Sequence, residues 1–197
     1  MAGASSGTGP GEPYRYRRGW SSGARIAATN LLRDAIETAE GLVGVCEAAG
    51  EVVLGAMAAE TVTVTVLDDD NTTYRDIVNV GELLPEEVRY PATPYPASRY
   101  PLATERLLAR DGYISADGLL DVVQERLSEA ERAMLRCFMG VPIESAGTVL
   151  GELYLRRGRQ APVFTPEDLD FTRDLATQLG TRLPDLLKEM RVANPEW

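Results

Sequence analysis

The 197-residue sequence contains no histidine. That absence removes histidine general acid–base chemistry, histidine-containing nucleophilic triads and histidine metal sites in one step. Lysine is almost missing as well: Lys188 is the only one, and arginine supplies the rest of the positive charge. The two cysteines fall in apolar patterns, Cys46 in a helix-like run and Cys137 in a strand-like run, which describes buried reduced thiols rather than a disulfide framework. No apolar stretch approaches the roughly 20 residues needed to cross a bilayer. The opening MAGASSGTGPGEPYRYRRGW lacks the apolar centre of a secretion signal. A net charge of −10 argues against nucleic acid as a partner, because phosphates require a basic surface. The expectation is a cytoplasmic protein with neither a membrane nor a nucleic acid as its partner.

What is present is enough apolar material, 44% of the chain, for one domain with a proper core. Residues 1–22 are expected to form a disordered tail, 23–191 a single domain and 192–197 a second, short tail. The basic and aromatic YRYRRGW patch lies in the first tail, and its role is left open. From residue 23 the pattern is helical, with Leu32, Ile36, Ala39, Val43, Cys46, Ala49, Val53 and Met57 three or four apart. Glycines 41, 44, 50 and 55 interrupt it, so two helices or one broken helix are predicted. Thr61 to Val66 then alternates strictly, as a strand with one buried face does. Asp68-Asp69-Asp70-Asn71 reads as a turn and Tyr74 to Val80 as the returning strand. The acidic triplet lacks both the Asp-x-Asp-x-Asp-Gly spacing and the distal glutamate of a calcium loop.

Residues 83–101 hold five prolines and a quasi-repeat, Arg89-Tyr90-Pro91 and Arg99-Tyr100-Pro101, with Tyr95-Pro96 between. Such proline density forbids a regular helix and keeps the backbone extended. Two readings stay open: a lid whose tyrosines and arginines cover a pocket, or a rigid strap covering the core edge. Leu102 to Arg110 reads as a short helix and Tyr113 to Ser115 as a short strand. Residues 119–136 read as a helix, with Ser128 and Glu131 forming a capping box that breaks it.

The segment from Cys137 to Leu183 is the most regular. It runs strand CFMGVPI, turn ESAG, strand TVLGELYL, basic loop, then a helix. Thr165 is the predicted N-cap and Pro166 the first helical residue. Glu167 and Asp168 put negative charge in the first turn, and Phe164 with Leu169 makes a hydrophobic staple. Leu169, Thr172, Leu175, Leu179, Leu183, Leu187 and Met190 share one stripe, with Pro184 expected to kink or end the helix. Hairpin-linked strands flanked by helices give an α+β architecture built on an antiparallel sheet. By alternation, Val149, Gly151, Leu153 and Leu155 face one side and Leu150, Glu152 and Tyr154 the other. The first set suits the terminal helices, with Gly151 allowing close approach. The second suits a pocket with placed polar groups, though Glu152 could equally sit at a sheet edge.

Gly140-Val141-Pro142-Ile143, Gly151-Glu152-Leu153 and Phe164-Thr165-Pro166-Glu167-Asp168 together resemble the C-terminal half of a GAF domain, a family of small-molecule sensing and dimerisation modules. The resemblance implies terminal helices packed together on one sheet face and often continuing into a dimer bundle. It implies a ligand on the opposite face, roofed by the mid-chain segments, here 83–136. Tyr90, Tyr95, Arg99 and Tyr100 of the strap, with Tyr113, Glu152 and Tyr154, then become the candidate ligand-binding residues. A homodimer would form through residues 25–59 and 166–190, with a signalling protein as a further partner. Phe164 and Asp168 match part of the cyclic-nucleotide signature of phosphodiesterase GAF domains, but Leu169 replaces its final Glu and no Asn-Lys pair precedes. Bilin attachment through a cysteine beside a histidine has no counterpart here. The resemblance therefore implies no cofactor, no metal and no catalytic residue. The expected function is a non-catalytic sensory domain, with a ligand-free dimerisation module as the alternative. A methionine sulfoxide reductase of the GAF type comes third, since Cys46 and Cys137 lack the loop setting of reactive thiols.

Overall fold

The computed structural model describes residues 21–85, 87–91, 93–116 and 135–194. Ser21 caps helix α1 (Ser22–Thr38), its hydroxyl accepting from the Ala24 amide at 3.2 Å. Ala39 and Glu40 are extended, and helix α2 (Gly41–Met57) starts on a glycine with φ +67°. That left-handed turn, which a side chain resists, is where the helical pattern breaks. Gly44, Gly50 and Gly55 stay inside α2. At Gly50 a side chain would stand 3.0 Å from the Val80 methyl, so the glycine lets α2 approach the sheet closely.

Strands β1 (Thr61–Leu67) and β2 (Thr73–Gly81) form the first hairpin. Its turn is held by Asp68, whose Oδ1 accepts the amides of Thr72 at 2.8 Å and Thr73 at 3.0 Å. The strap contributes a two-residue strand, β3 (Tyr95–Pro96), and a 3₁₀ turn at Ala97–Arg99. Helix α3 (Pro101–Leu108) and strand β4 (Tyr113–Ala116) follow. Strands β5 (Leu135–Ser145) and β6 (Thr148–Gly158) form the second hairpin. Ala146 and Gly147 make its two-residue turn with φ 48° and 80°, the double left-handed geometry that matches strand twist. The helix expected over 119–136 falls outside the described residues except for its last two positions, which belong to β5. The tail at 1–20 also lies outside them.

All pairings are antiparallel, and the six strands lie in the order β3-β2-β1-β6-β5-β4. Helix α2 and the last helix, α4 (Pro166–Ala193), pack on each other and on a single face of this sheet, and α1 packs on both of them. Val62, Val64, Val78, Val80, Leu153 and Leu155 meet Leu32, Val53, Phe171 and Leu179 there, all fully buried. Each such side chain contributes roughly 1.5–3 kcal/mol by leaving water.

Thr165 caps α4 in a reciprocal box: its amide donates to Asp168 Oδ2 at 2.9 Å, and its hydroxyl accepts from the Asp168 amide at 3.2 Å. Buried Arg157 locks this corner. Its guanidinium lies 4.0 Å from the centre of the Phe164 ring, reaches Asp168 at 3.4 Å and donates to the Met57 carbonyl at the end of α2. Pro184 does not end α4, which continues to Ala193. The hydrogen bond lost at proline is outweighed by Leu183, Leu186 and Leu187, all buried in the core around it. The close approach expected at Gly151 occurs, but not to a helix. A side chain there would strike the Thr65 carbonyl of β1. A close helix-to-strand approach occurs instead at Gly180, where a side chain would strike the Glu144 carbonyl of β5.

Candidate functional site

The other face of the sheet is polar, and the register explains why. Three rows cross it: Asp76–Thr65–Glu152, Asn79–Thr63–Tyr154–Gly140–Tyr113, and Thr61–Arg156–Phe138–Ser115. The alternation of β1 that sends valines to the helices sends threonines into these rows. Asp76 joins the first row through a bulge. Val64 pairs with Val78 but Thr65 pairs with Asp76, so Ile77 is an extra residue. Simple alternation from Val80 and Val78 would have pointed Asp76 and Tyr74 at the helices; the extra residue turns both to the polar face.

A second bulge corrects the parity expected for β6. Ile143 pairs with Gly151 and Glu144 with Val149, leaving Leu150 unmatched. Val149 therefore packs on the polar side with Leu67, Tyr74 and Leu107, and Leu150 packs against the helix-side core. Glu152 and Tyr154, beyond the bulge, keep their expected direction. Glu152 is not at an edge: β6 is an inner strand between β1 and β5.

Over these rows lies a cavity of about 290 Å³. Its floor is Thr63, Thr65, Glu152 and Tyr154. Tyr113 and Phe138 close one side, and Tyr74, Asp76 and Asn79 the other. The strap supplies Leu84 and Glu87 from its first part and Tyr95, Arg99 and Tyr100 from its last. Of the candidate residues, Tyr95, Arg99, Tyr100, Tyr113, Glu152 and Tyr154 are thus brought together. Tyr90 is not. Its hydroxyl donates to Glu47 of α2 at 2.8 Å, and Arg89 reaches Glu47 at 2.6 Å and Glu51 at 2.7 Å. Within the strap, Leu84 and Glu87 line the cavity, Arg89 and Tyr90 reach the acids of α2 while the Arg89 carbonyl accepts from the Asn79 amide of β2 at 2.8 Å, and the chain returns over the cavity at Tyr95.

Hydrogen bonds hold most of the polar lining in place. Asp76 Oδ1 accepts from Thr65 at 2.8 Å and from Tyr95 at 2.9 Å, while Thr63 donates to Asn79 at 2.6 Å. Tyr74 and Thr104 hydroxyls lie 3.0 Å apart. Arg156 is buried and held by Glu87 at 2.8 Å, Thr61 at 2.5 Å and the Glu82 carbonyl at 2.7 Å. Glu152 differs. It is buried, and its Oε1 has no hydrogen-bond partner among the described residues. Burial pushes its carboxyl up to about 8 despite an opposing hydrogen bond from Tyr113, and the charge of Asp76 adds to the rise. Burial likewise raises Asp76, and holds Tyr113 and Tyr154 protonated well above the usual phenol range. Gly140 makes room for this arrangement: a side chain there would stand 2.0 Å from Glu152 Oε1 and 2.4 Å from the Tyr113 ring.

Sequence reasoning missed Asp76, Tyr74, Thr63, Thr65, Phe138 and Arg156. The threonines carried a signal, their alternation with valine, that becomes usable once β1 is known to lie beside β6. Among the described residues no cluster of three or more acids, cysteines or histidines could hold a metal, and no helix is long and apolar enough to cross a membrane. Cys46 is fully buried, and desolvation pushes its thiol up to about 12.

An antiparallel sheet sealed by terminal helices on one face and hollow on the other defines a class of small-ligand sensing folds. The GAF domain family model matches residues 30–183, and the chain belongs to that family. GAF domains are sensory and regulatory domains that bind small ligands and are generally non-catalytic. Similar solved structures include the GAF domain of a phosphoenolpyruvate-protein phosphotransferase from Coxiella burnetii. It is 17% identical with TM-score 0.68, over 85% of this chain and 97% of that one. The corresponding Acinetobacter domain gives TM-score 0.65 at 17% identity over the same shares. A bacteriophytochrome from R. palustris gives 0.64 at 14% identity, over 92% of this chain and 41% of its own. No curated protein is significantly similar in sequence.

Proposed function

We propose that this chain is a non-catalytic sensory domain of the cytoplasm that binds a small organic ligand on the polar face of its sheet and dimerises through its terminal helices. The observation that carries the reading is Glu152: a buried carboxyl facing a 290 Å³ cavity with one oxygen unsatisfied. A buried acceptor without a partner is costly, and a guest that donates to it recovers that cost. The helix side supports the output. Ile26 and Leu31 of α1 are 61% and 58% exposed, apolar surface on a helix bonded to α4 through Arg25, whose guanidinium lies 3.3 Å from Glu167. A ligand that favours one arrangement of the strap over another would bias what these helices present. Both thiols are buried, as suits reduced cysteines in the cytoplasm and not a thiol catalyst.

Thermal melting against a panel of small metabolites tests the first half. A binder at 100 times its Kd stabilises by about 2.7 kcal/mol, a readily measured rise in Tm. Sedimentation equilibrium tests the second half, with a dimer expected and with Ile26→Glu together with Leu31→Glu giving monomer. A dimer that no compound stabilises would favour the ligand-free interaction module instead.

A further inference from the structure

The cavity selects for more than size. Glu152 sits on an inner strand, its carboxyl over Gly140, where only a glycine leaves space. Its Oε1 is without a hydrogen-bond partner among the described residues. A guest that donates to this carboxyl favours the charged form that burial disfavours. The walls are aromatic: Phe138 and Tyr154 are stacked at 5.5 Å between centres, and Tyr95 and Tyr100 meet edge to face at 5.7 Å. Such rings attract a flat apolar body and present negative π faces to a cation. The charges run the same way. Arg156 is spent on Glu87, Thr61 and the Glu82 carbonyl, and Arg99 is exposed at the mouth over the Tyr95 and Tyr100 rings. Inside, the acids Asp76 and Glu152 remain, and the whole chain carries −10. An anion would face both acids, whereas a cation is drawn in and held.

We infer that the cavity takes a small organic cation, a protonated amine on a flat apolar body, with the ammonium group donating to the Glu152 carboxyl. This rests on the reading of the cavity as a ligand site and names the chemistry of its guest. Binding should expel a proton, because a cation against Glu152 favours the carboxylate that burial disfavours. The groups facing Glu152 are Tyr113 on β4, Tyr154 on β6, and Tyr74 and Asp76 on β2. From above come Tyr95, Tyr100 and Arg99. Burial holds Tyr74, Tyr95, Tyr113 and Tyr154 protonated, so Glu152, with a contribution from Asp76, accounts for the proton.

The test is calorimetric titration of the full chain with arylalkylamines carrying one to four methylenes, such as 2-phenylethylamine, beside their alcohol and carboxylate counterparts. The amines stay charged below pH 8.5. An amine of the series is expected to bind, with affinity rising up to about tenfold per pH unit between 6 and 7.5 and levelling above about 8. Buffers of different ionisation heat should report close to one proton released at pH 6.5. Glu152→Gln should weaken the amine at least tenfold at pH 8 and flatten its pH dependence. If that variant does not fold, proton release by the unmodified chain decides, and none released overturns the inference. Binding of the alcohol or carboxylate in preference to the amine overturns the cation and leaves the ligand site standing. Binding by no compound of any class overturns both.

Discussion

Along β1, Val62, Val64 and Val66 disappear into the helix-side core, while Thr61, Thr63 and Thr65 line the opposite face and hand their hydroxyl protons to acceptors. One strand thus serves two kinds of interior. On the helix side the valines meet a mainly apolar core. On the other side the partners are hydroxyls, carboxylates and phenols, and about 290 Å³ is left open. A polar interior cannot close on itself as a hydrocarbon one does, because each buried donor and acceptor must find its match at fixed geometry. Stability resides on the first face, and the open space lies on the second.

Mutations that ignore this division should expose it. The largest effect is expected from Phe171→Ala, which empties the centre of the sealed face and costs about 3–5 kcal/mol in denaturant unfolding. Next comes Glu152→Gln, whose sign depends on pH. The folded carboxyl titrates at about 8 against 4.5 when unfolded, so between these values the folded state binds the extra proton. Stability of the unmodified chain should therefore fall as pH rises through that window, by up to about 1.4 kcal/mol per unit, and level off above it. Glutamine removes the fall, making the variant the more stable protein at pH 8 and bringing the two closer at pH 5. Asp76, also raised, adds a slope of the same sign to both.

Gly140→Ala should cost about 1–3 kcal/mol by overpacking against the Glu152 carboxyl and the Tyr113 ring, and should abolish ligand binding. Arg89→Ala comes last. Its pairs with Glu47 and Glu51 are exposed and screened, so global stability should change little, while amide exchange in the strap quickens.

The two faces also differ in how much of them could be read from the sequence. The Thr-Val alternation, the Thr165 cap and the stripe of leucines on α4 are local signals, and local physics decides them. Glu152 and Tyr154 were legible for the same reason, since period two holds from Gly151 onward. Asp76 was hidden by the extra residue at Ile77, and Val149 with Leu150 were exchanged by the bulge at Leu150. A bulge leaves no mark in composition, yet it reverses every side chain beyond it. The two Arg-Tyr-Pro copies show the same limit. Arg89-Tyr90 and Arg99-Tyr100 are identical in sequence, but the first pair meets the acids of α2 and the second the cavity, because the strap crosses the β2 edge between them.

The hollow face is most directly tested by native mass spectrometry of the intact chain, purified without denaturation, beside its Gly140→Ala variant. A small-molecule adduct on the unmodified chain, missing from a folded Gly140→Ala, is the predicted result. An adduct of equal occupancy on both, or a bare chain that no small molecule can load, would contradict a guest seated against Glu152.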